Sequence, residues 1–569
     1  MQASADSLCR RVAWLIALAA ITFTNEAQSL QCAGDLASAP SAERLQAILQ
    51  THQQWLRRAR AIFGDDLERA SLAVLSFRSN ERARFNCVDL SKAKLANLDL
   101  SAADFSNARL DYADLSGAIL VLADFSDANL NGARLSDAKI TKANFSAANL
   151  FDADLTKVNG TEVNFQSAKL RYVQFTGAQL TRSRFHAAEM AHAKGAHASF
   201  EDSNFDRAIL QSARFNETRF ARSRFEQADL SEARLDRAVG SNAVLKGALL
   251  EDTRLTNSDF NNADFQSANL RRAQLTRTQL YDGSLQGANF DNADLSGVNL
   301  NGADLSAANL LHANLTHASL KGANIRNAVF AFADLTQAEY APSSVAPSEY
   351  VVGIKGLSTV RFPFGEEAAL VQLRVLLQKA GLRDLEREVT FTLEKNRDRY
   401  KVQAWRDDFG RAIEAVLRIA AFGWTTAYGL FPARPLLLIA LVWLLLAPAY
   451  AWPIWRPTAF RRAAVYRIWP KDRVVASGDD NALAKDARVE RLDKSLANAL
   501  GWGAYFSLLS TFQLGFREFT IGMWITRTQS TNFALEATGW VRTLSGLQAL
   551  FSAYCLALTV LTYFGRPFD

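Results

Sequence analysis

Chemically versatile residues are scarce in this chain, whose 569 residues hold six histidines and four cysteines. Four of the histidines fall in pairs five apart, His192 with His197 and His312 with His317. Two ring nitrogens without a third ligand are a poor metal site, so both pairs are expected on the surface. The sequence shows no zinc-ligand spacing, no Ser-His-Asp arrangement and no glycine-rich phosphate loop in its strand and helix context. These absences make an enzyme the least supported class, and no cofactor or metal is expected. A strong charge of one sign is also lacking over the middle of the chain. Residues 1–84 carry 10 basic and 8 acidic side chains, residues 85–340 carry 26 and 30, and residues 341–569 carry 28 and 20. The net +6 therefore sits around the C-terminal apolar segments, and the centre is near neutral.

That centre is a repeat. From Phe85 to Tyr340 every fifth residue falls in one unbroken register, and 49 of the 52 positions carry Leu, Phe, Ile, Met or Tyr, the exceptions being Gly160, Gly195 and Gly240. Ala stands two residues earlier in 38 of the 52 cases, as in Ala148-Asn149-Leu150 and Ala303-Asp304-Leu305. The unit is A-(D/N)-(L/F)-x-x. A period of five fits neither a helix nor a simple strand alternation, so it marks a repeat architecture. In extended backbone, residues two apart share a face. The small and large residues thus point inward, while the Asp or Asn between them and the two variable residues point outward, and the remaining residues turn the chain. Phenylalanine recurs every twenty residues at Phe85, Phe105, Phe125, Phe145, Phe165, Phe185, Phe205 and Phe225, then, after Leu245, at Phe265. Twenty residues are four units, so a four-sided coil stacks these rings in one internal column. About 13 coils at roughly 4.8 Å each predict a rod about 60 Å long.

These residues resemble the pentapeptide-repeat family, whose fold is a right-handed quadrilateral β-helix, and the resemblance covers 256 residues, about 45% of the chain. It implies an all-β rod but specifies no chemistry. Some family members are strongly acidic rods that imitate DNA and bind a topoisomerase. This array lacks that density of negative charge and mixes basic side chains in between Lys169 and Arg237, so nucleic acid is not an expected partner. Each central glycine removes a large side chain from a coil, and Gly160 and Gly240 share a side. The expectation is a locally repacked coil, with Val158 and Val163 as partial filler beside Gly160, rather than a binding notch.

Residues 1–29 read as an export signal: Arg10-Arg11, an apolar run from Val12 to Phe23, then Ala27-Gln28-Ser29 as a small-residue cleavage site. The twelve apolar residues are short for a membrane span, and an uncleaved anchor is the alternative. Cys9 falls in this leader and Cys555 in a C-terminal apolar segment. Cys32 and Cys87 remain in the exported part, either paired in a disulfide or as two buried thiols. Residues 30–84 are expected to form a helical N-terminal cap over the open edge of the first coil. Ser41 can cap a helix with Leu45, Ile48, Leu49, Trp55, Leu56 and Ile62 on one face, and His52 packs in the core beside them. The stretch from Ile48 to Leu56 resembles the leader ahead of many pentapeptide arrays.

After Tyr340 the register stops near Pro342 and Pro347, and residues 341–410 read as a linker with soluble helices. One runs from Glu366 to Ala380 with Leu370, Leu373, Leu376 and Leu377 inward and Gly381 as its stop, and a charged helical segment follows from Leu385 to Phe409. Residues 411–569 read as an α-helical membrane domain. Its candidate spans, Pro435 to Trp455 and Leu544 to Phe564, are each 21 residues without an internal charge. Leu500 to Phe516 is apolar but short, a candidate re-entrant segment. With Tyr428-Gly429-Leu430-Phe431-Pro432-Ala433-Arg434 upstream and Gln548 downstream, this spacing resembles the two-helix ion-channel-like domain that follows the array in some membrane pentapeptide-repeat proteins. The resemblance puts Gln513, Leu514, Gly515, Phe516, Arg517 and Glu518 at the pore loop. Where a potassium filter reads T-V-G-Y-G-D, Arg517 replaces the second glycine, which argues against potassium selectivity.

Residues 456–494 carry ten Lys or Arg, and the positive-inside rule puts them in the cytoplasm. An exported array agrees with this. The expectation is a multi-pass protein of the bacterial inner membrane with a periplasmic repeat domain, a cytosolic array being the alternative. Its expected role is a non-catalytic scaffold whose partners are membrane lipid and an unknown protein on the β-helix surface. The rival is an oligomeric channel, a homo-oligomer through the membrane domain.

Overall fold

The structure, a computed structural model, describes residues 39–67, 69–406, 409–428, 430–431, 433–456, 465–469, 488–492, 495–512 and 534–564. The chain divides into two compact units, residues 1–299 with 303–309, and residues 300–302 with 310–569.

In the first unit the five-residue units close into four-sided coils. Asp89 bridges Arg109, Lys94 bridges Asp114, Asp99 bridges Ile119 and Asp104 bridges Asp124, all parallel and all twenty residues apart. One residue per side pairs in this way, too few for a regular strand. The exceptions among the described array residues are β1 (Asn159–Thr161) and β2 (Gln179–Thr181), which pair in parallel.

Every N–H group of residues 115–119 has a destination, as buried backbone requires. Leu115 donates to Arg134 O at 2.7 Å, Gly117 to Ser136 O at 2.8 Å, and Ile119 back to Leu98 O at 2.9 Å, so each coil is bonded to the coils on both sides. Ala118 closes the corner by donating to Leu115 O at 3.1 Å. The fifth, Ser116 N–H, donates to the Asp114 side chain at 3.1 Å. The corner also requires a positive φ at the second variable residue of every unit, as at Lys92 (59°), Asn97 (59°), Arg207 (58°) and His317 (59°). Such a conformation costs a non-glycine residue about 1–2 kcal/mol. Bonds to the neighbouring coil from the same residue hold it there.

The alanines and large apolar residues at the inward positions of the array are buried, whereas outward ones such as Tyr112 and Phe332 are exposed. Seven successive ring pairs from Phe85 to Phe225 stack with centroids 4.6–5.0 Å apart, close to the spacing of hydrogen-bonded strands. Phe265 meets Phe260 edge-on at 5.7 Å instead, because Leu245 interrupts the column. Ahead of the array, α1 (Ala42–Phe63) starts at Ser41, whose hydroxyl accepts from Arg44 N–H at 3.3 Å, and α2 (Ser71–Ser76) follows. Trp55, Leu56 and Ala59 pack with Leu67, Val74, Ala102 and Leu122. Ile62 departs from the expected face and is 60% exposed. The buried stripe is His52, Trp55, Leu56 and Ala59, and four residues on it reaches Phe63, which packs against Phe77 at 5.7 Å.

In the second unit Asn314 bridges Asp334 and Ser319 bridges Glu339, again at twenty residues. The sequence register ends at Tyr340, but the pairing does not: Asp334 bridges Lys355 and Glu339 bridges Arg361. Residues 341–361 are therefore one further, slightly longer circuit laid on the last repeats, and not a free linker. The extra one or two residues per circuit destroy the five-residue period while leaving the ladder intact, so periodicity alone misses it. Helices α3 (Ala368–Lys379) and α4 (Arg383–Gln403) follow, separated by Gly381 at φ 73°. Thr392 in α4 donates to Leu357 O at 2.6 Å and ties the helix to that circuit.

The chain continues through α5 (Phe409–Arg418), a π-helical turn at Ile419–Gly423, and the long apolar α6 (Arg434–Trp455). Then come β3 (Val465–Trp469), β4 (Arg488–Arg491), α7 (Leu496–Phe512), β5 (Ala534–Ala537) and α8 (Trp540–Phe564). The three strands form an antiparallel sheet in the order β4-β3-β5, an element the sequence reading did not foresee. By length and composition α6 and α8 are apolar enough to cross a membrane.

Candidate functional sites in the coils and the C-terminal helices

The repeat assigns each of its recurrent residues a structural task. Asp at the second position caps the corner: Asp114 accepts from Ser116 N–H and also from its hydroxyl at 2.6 Å, and these bonds hold its carboxyl below the usual carboxylate range. Asn at that position joins the coils. Asn144 Nδ2 donates to Asp124 at 2.9 Å and Asn164 Nδ2 to Asn144 at 2.8 Å, in a ladder along one side. Where Ser or Thr replaces the inward Ala, its hydroxyl bonds a backbone carbonyl, in several cases one of the preceding coil, as Thr218 to Gly195 O at 2.7 Å and Ser223 to Phe200 O at 2.7 Å. The mixed charges between Lys169 and Arg237 pair between neighbouring coils. Arg222 grips Asp202 with two bonds of 2.7 and 2.9 Å, and Arg237 meets Glu217 at 3.2 Å. Side chains not committed to the scaffold lie mainly at the two variable outward positions of each unit.

The central glycines do not open a notch. A Cβ built on Gly195 would lie 2.4 Å from the Phe215 ring, one on Gly240 2.2 Å from the Phe260 ring, and one on Gly160 2.8 Å from both Ile140 and Val163. Aromatic rings one coil further on occupy two of these gaps, which the sequence reading did not anticipate, although the twenty-residue offset was the signal for it. Of the paired histidines, His192 stacks on Tyr172 at 4.9 Å and His312 on Phe332 at 5.2 Å, while His197 lies 3.3 Å from Glu217.

His52 in α1 is buried, stacks on Trp55 at 5.5 Å, and accepts the Ala83 N–H at Nδ1 at 3.1 Å. Burial is the main cause that pushes its imidazole down to about 4. Cys87 is disulfide-bonded, and Cys32 lies outside the described residues.

Among the described residues, the second unit holds two buried polar clusters. In the first, Tyr428 donates to Asp398 at 2.5 Å, Arg418 Nε lies 3.6 Å from Asp398, and Arg418 also pairs with Glu394. Asp398 is fully buried. Burial and the bond to Asp398 push the Tyr428 hydroxyl up. Burial opposes the Arg418 charge, but Asp398 and Glu394 outweigh it and raise the guanidinium further. This cluster ties α4 to the residues that precede α6. In the second, Gln548 of α8 accepts from Tyr450 of α6 at 2.7 Å and donates to Ser507 O at 3.0 Å and Thr511 Oγ1 at 2.8 Å of α7. A Cβ on Gly503 would lie 2.5 Å from Ala447 O, so α7 rests directly on α6. Of the residues singled out in the sequence by resemblance, Tyr428 is thus one member of the first cluster and Gln548 joins the three helices of the second. The pore-loop residues Gln513, Leu514, Gly515, Phe516, Arg517 and Glu518 lie outside the described residues, as does the leader at 1–29.

Four sides of one five-residue unit each, joined by a twenty-residue parallel ladder, define a solenoid of square cross-section. The family model for pentapeptide repeats matches residues 83–120, 118–156, 161–194, 183–227, 198–237, 218–257, 241–276, 273–310 and 303–339. The array is a pentapeptide-repeat domain, a right-handed quadrilateral β-helix, followed in the chain by two apolar helices. Among solved structures, trypsin-treated QnrB1, a plasmid-mediated fluoroquinolone resistance protein, is 18% identical over 37% of this chain and 95% of its own, with a TM-score of 0.25. HetL, a pentapeptide repeat protein involved in heterocyst differentiation regulation from the cyanobacterium Nostoc sp. strain PCC 7120, is 27% identical over 45% and 89%, with a TM-score of 0.15. A pentapeptide repeat protein of the Arabidopsis thaliana thylakoid lumen is 27% identical over 19% and 70%, with a TM-score of 0.11. A comparison with curated proteins gives no match.

Proposed function

We propose that this protein is a membrane-anchored scaffold of the cell envelope, without catalysis, that presents the variable side chains of its β-helix to a protein partner. One observation carries the reading. The inward residues fill the core and Asp and Asn residues cap corners or bond neighbouring coils, so the side chains that differ from coil to coil, some of them paired with the next coil, are concentrated at the outward positions. The helix α1 acts as a lid in this reading: His52 takes up the Ala83 N–H and Trp55 covers the first coils. A Cys32–Cys87 disulfide would fasten the start of the N-terminal cap segment to the array in an oxidising compartment. Helices α6 and α8 anchor the chain in the inner membrane with the array on the periplasmic side.

A photo-crosslinking residue placed in turn at Gln166, Arg171, Thr176 and Thr181, the successive corners of one coil, tests the scaffold role in cells. A discrete adduct from one or two adjacent corners is expected. No adduct from any corner, repeated on two further coils, overturns it.

The channel alternative draws support from the C-terminal sheet. β3 follows α6, β4 leads into α7 and β5 leads into α8, so one end of each helix meets at the same sheet, around Tyr450, Ile454, Val465, Ala499 and Val541. A short helix that starts on the same side as the following span fits a half-membrane segment. Two spans cannot enclose a pore alone, so a strictly monomeric protein in mild detergent would exclude this alternative.

A further inference from the structure

Helix α5 turns its apolar side the wrong way for a soluble helix. Its inward residues are Ala412 and Ala415, whereas Phe409, Ile413, Val416 and Leu417 are 66%, 46%, 53% and 64% exposed. These four fall at i, i+4, i+7 and i+8, a single stripe along one face. With Val402 and Trp405 of the preceding segment they line a groove of about 290 Å³ made of apolar side chains. On another face, Glu414 reaches Lys401 at 3.6 Å, so the helix is sharply two-sided.

The surroundings of the stripe point to lipid as its cover. α5 passes through a five-residue π-helical turn and a short connection into α6, whose Leu437, Leu444 and Leu445 are exposed in the same way. Tyr554 of the other long apolar helix, α8, donates to Ala421 O at 2.5 Å and joins the end of the stripe to the surface of that helix. Trp405 and Trp424, 53% and 74% exposed, bracket α5 in the chain, and their amphipathic rings suit the level of lipid headgroups. Arg434 over the Phe431 ring adds positive charge on the flank toward α6, complementary to anionic headgroups, whereas Arg406 over the Trp405 ring is followed in the chain by Asp407 and Asp408, which offset it.

We propose that α5 lies in the plane of the bilayer surface, with Phe409, Ile413, Val416 and Leu417 seated among lipid acyl chains and headgroups. This placement rests on the membrane reading of α6 and α8. The ion cluster on the same segment gives it a consequence. Arg418, the last residue of α5, is held by Glu394 and Asp398 of α4, so the bilayer surface and the helices next to the last coil are gripped by one side chain.

The test uses the full chain in vesicles of phosphatidylcholine with phosphatidylglycerol, carrying one nitroxide label at Ile413, Leu417, Glu414 or Leu441 in a background with the native cysteines replaced by serine and an unchanged circular dichroism spectrum. Labels at Ile413 and Leu417 are expected to respond to dissolved oxygen and resist an aqueous nickel complex, at a shallower depth than Leu441, while the label at Glu414 responds to nickel. If Leu441 reports lipid but Ile413 and Leu417 respond to nickel as strongly as Glu414, the placement of α5 is wrong and the membrane reading stands. Labels at Ile413 and Leu417 shielded from both reagents would mean that protein, such as a second copy of the chain, covers the stripe, which also overturns it. A label at Leu441 that responds to nickel would remove the membrane reading and this inference together.

Discussion

Phe260 occupies the space that a side chain at Gly240 would need: a Cβ there would lie 2.2 Å from its ring. The two residues are one coil apart on the same side, so a missing large residue is compensated along the solenoid axis rather than across it. Substituting Gly240→Leu, which restores the repeat consensus, is therefore expected to destabilise the domain, by the about 1–3 kcal/mol typical of overpacking. The double variant with Phe260→Ala should recover part of that loss. Urea unfolding of both variants measures it, and a stabilising Gly240→Leu would contradict this packing.

Acidification should loosen the N-terminal segment before it affects the array. His52 titrates near 4 when folded and near 6.5 when unfolded. Between these values the unfolded chain binds more protons, so the stability His52 contributes is complete above about 6.5 and is lost as pH falls toward 4, up to about 3 kcal/mol. Asp89 and Asp114, held low by Ser91 and Ser116, act in the same direction at more acidic pH. Replacing His52 by Gln should flatten the pH dependence of unfolding of the N-terminal segment between pH 4 and 6.5, read by hydrogen exchange of the α1 amides.

The carboxylate of Asp114 bonds both the N–H and the hydroxyl of Ser116. Asp114→Ala should cost about 1–2 kcal/mol, the loss of a capping acceptor, whereas Asp114→Asn should cost less because the side-chain oxygen is retained. Equal losses for the two variants would show that the charge, and not the acceptor, is what the corner uses.

Removing Arg418 leaves Glu394 and Asp398 without their shared cation. Arg418→Leu should lower stability by about 3–5 kcal/mol, as for other broken buried pairs. The triple variant Glu394→Leu, Asp398→Leu, Arg418→Leu should be less damaged than the single one. Thermal unfolding of the detergent-solubilised protein distinguishes the two outcomes.

Gln548 joins three helices through Tyr450, Ser507 and Thr511. Gln548→Leu is expected to reduce thermal stability in detergent by about 0.6–2 kcal/mol, the range for polar contacts between membrane helices. If Gln548→Leu raises stability, the network contributes something other than packing, and its role would have to be sought in function.

The rod was legible because its chemistry repeats: small and large inward residues fall at a fixed interval, and Phe at twenty residues counts the sides. The α1 helix was legible from its Ser41 start and apolar spacing, except at Ile62, where the buried stripe turns toward Phe63. What lay beyond reach depends on contacts across the fold. The filling of the Gly195 and Gly240 gaps by Phe215 and Phe260 requires knowing which ring tilts toward which coil. The circuit at 341–361 keeps its hydrogen bonds but loses its period, and period was the only signal. The cluster of Glu394, Asp398, Arg418 and Tyr428 joins residues of the charged helix α4 to residues at and beyond the end of α5, with no repeat or period linking them, and β3, β4 and β5 pair across long intervals of sequence.

The twenty-residue bridge has a consequence for how such a protein can change in length. An insertion of five residues would rotate every later side by a quarter turn, breaking the Phe column, the Asn ladder and the ion pairs at once. Whole coils can be added or lost without disturbing any of them. Growth by duplication is thus quantised in units of four repeats inside the array, and only the terminal circuit, with a neighbour on one side alone, is free to drift to offsets of 21 and 22 residues.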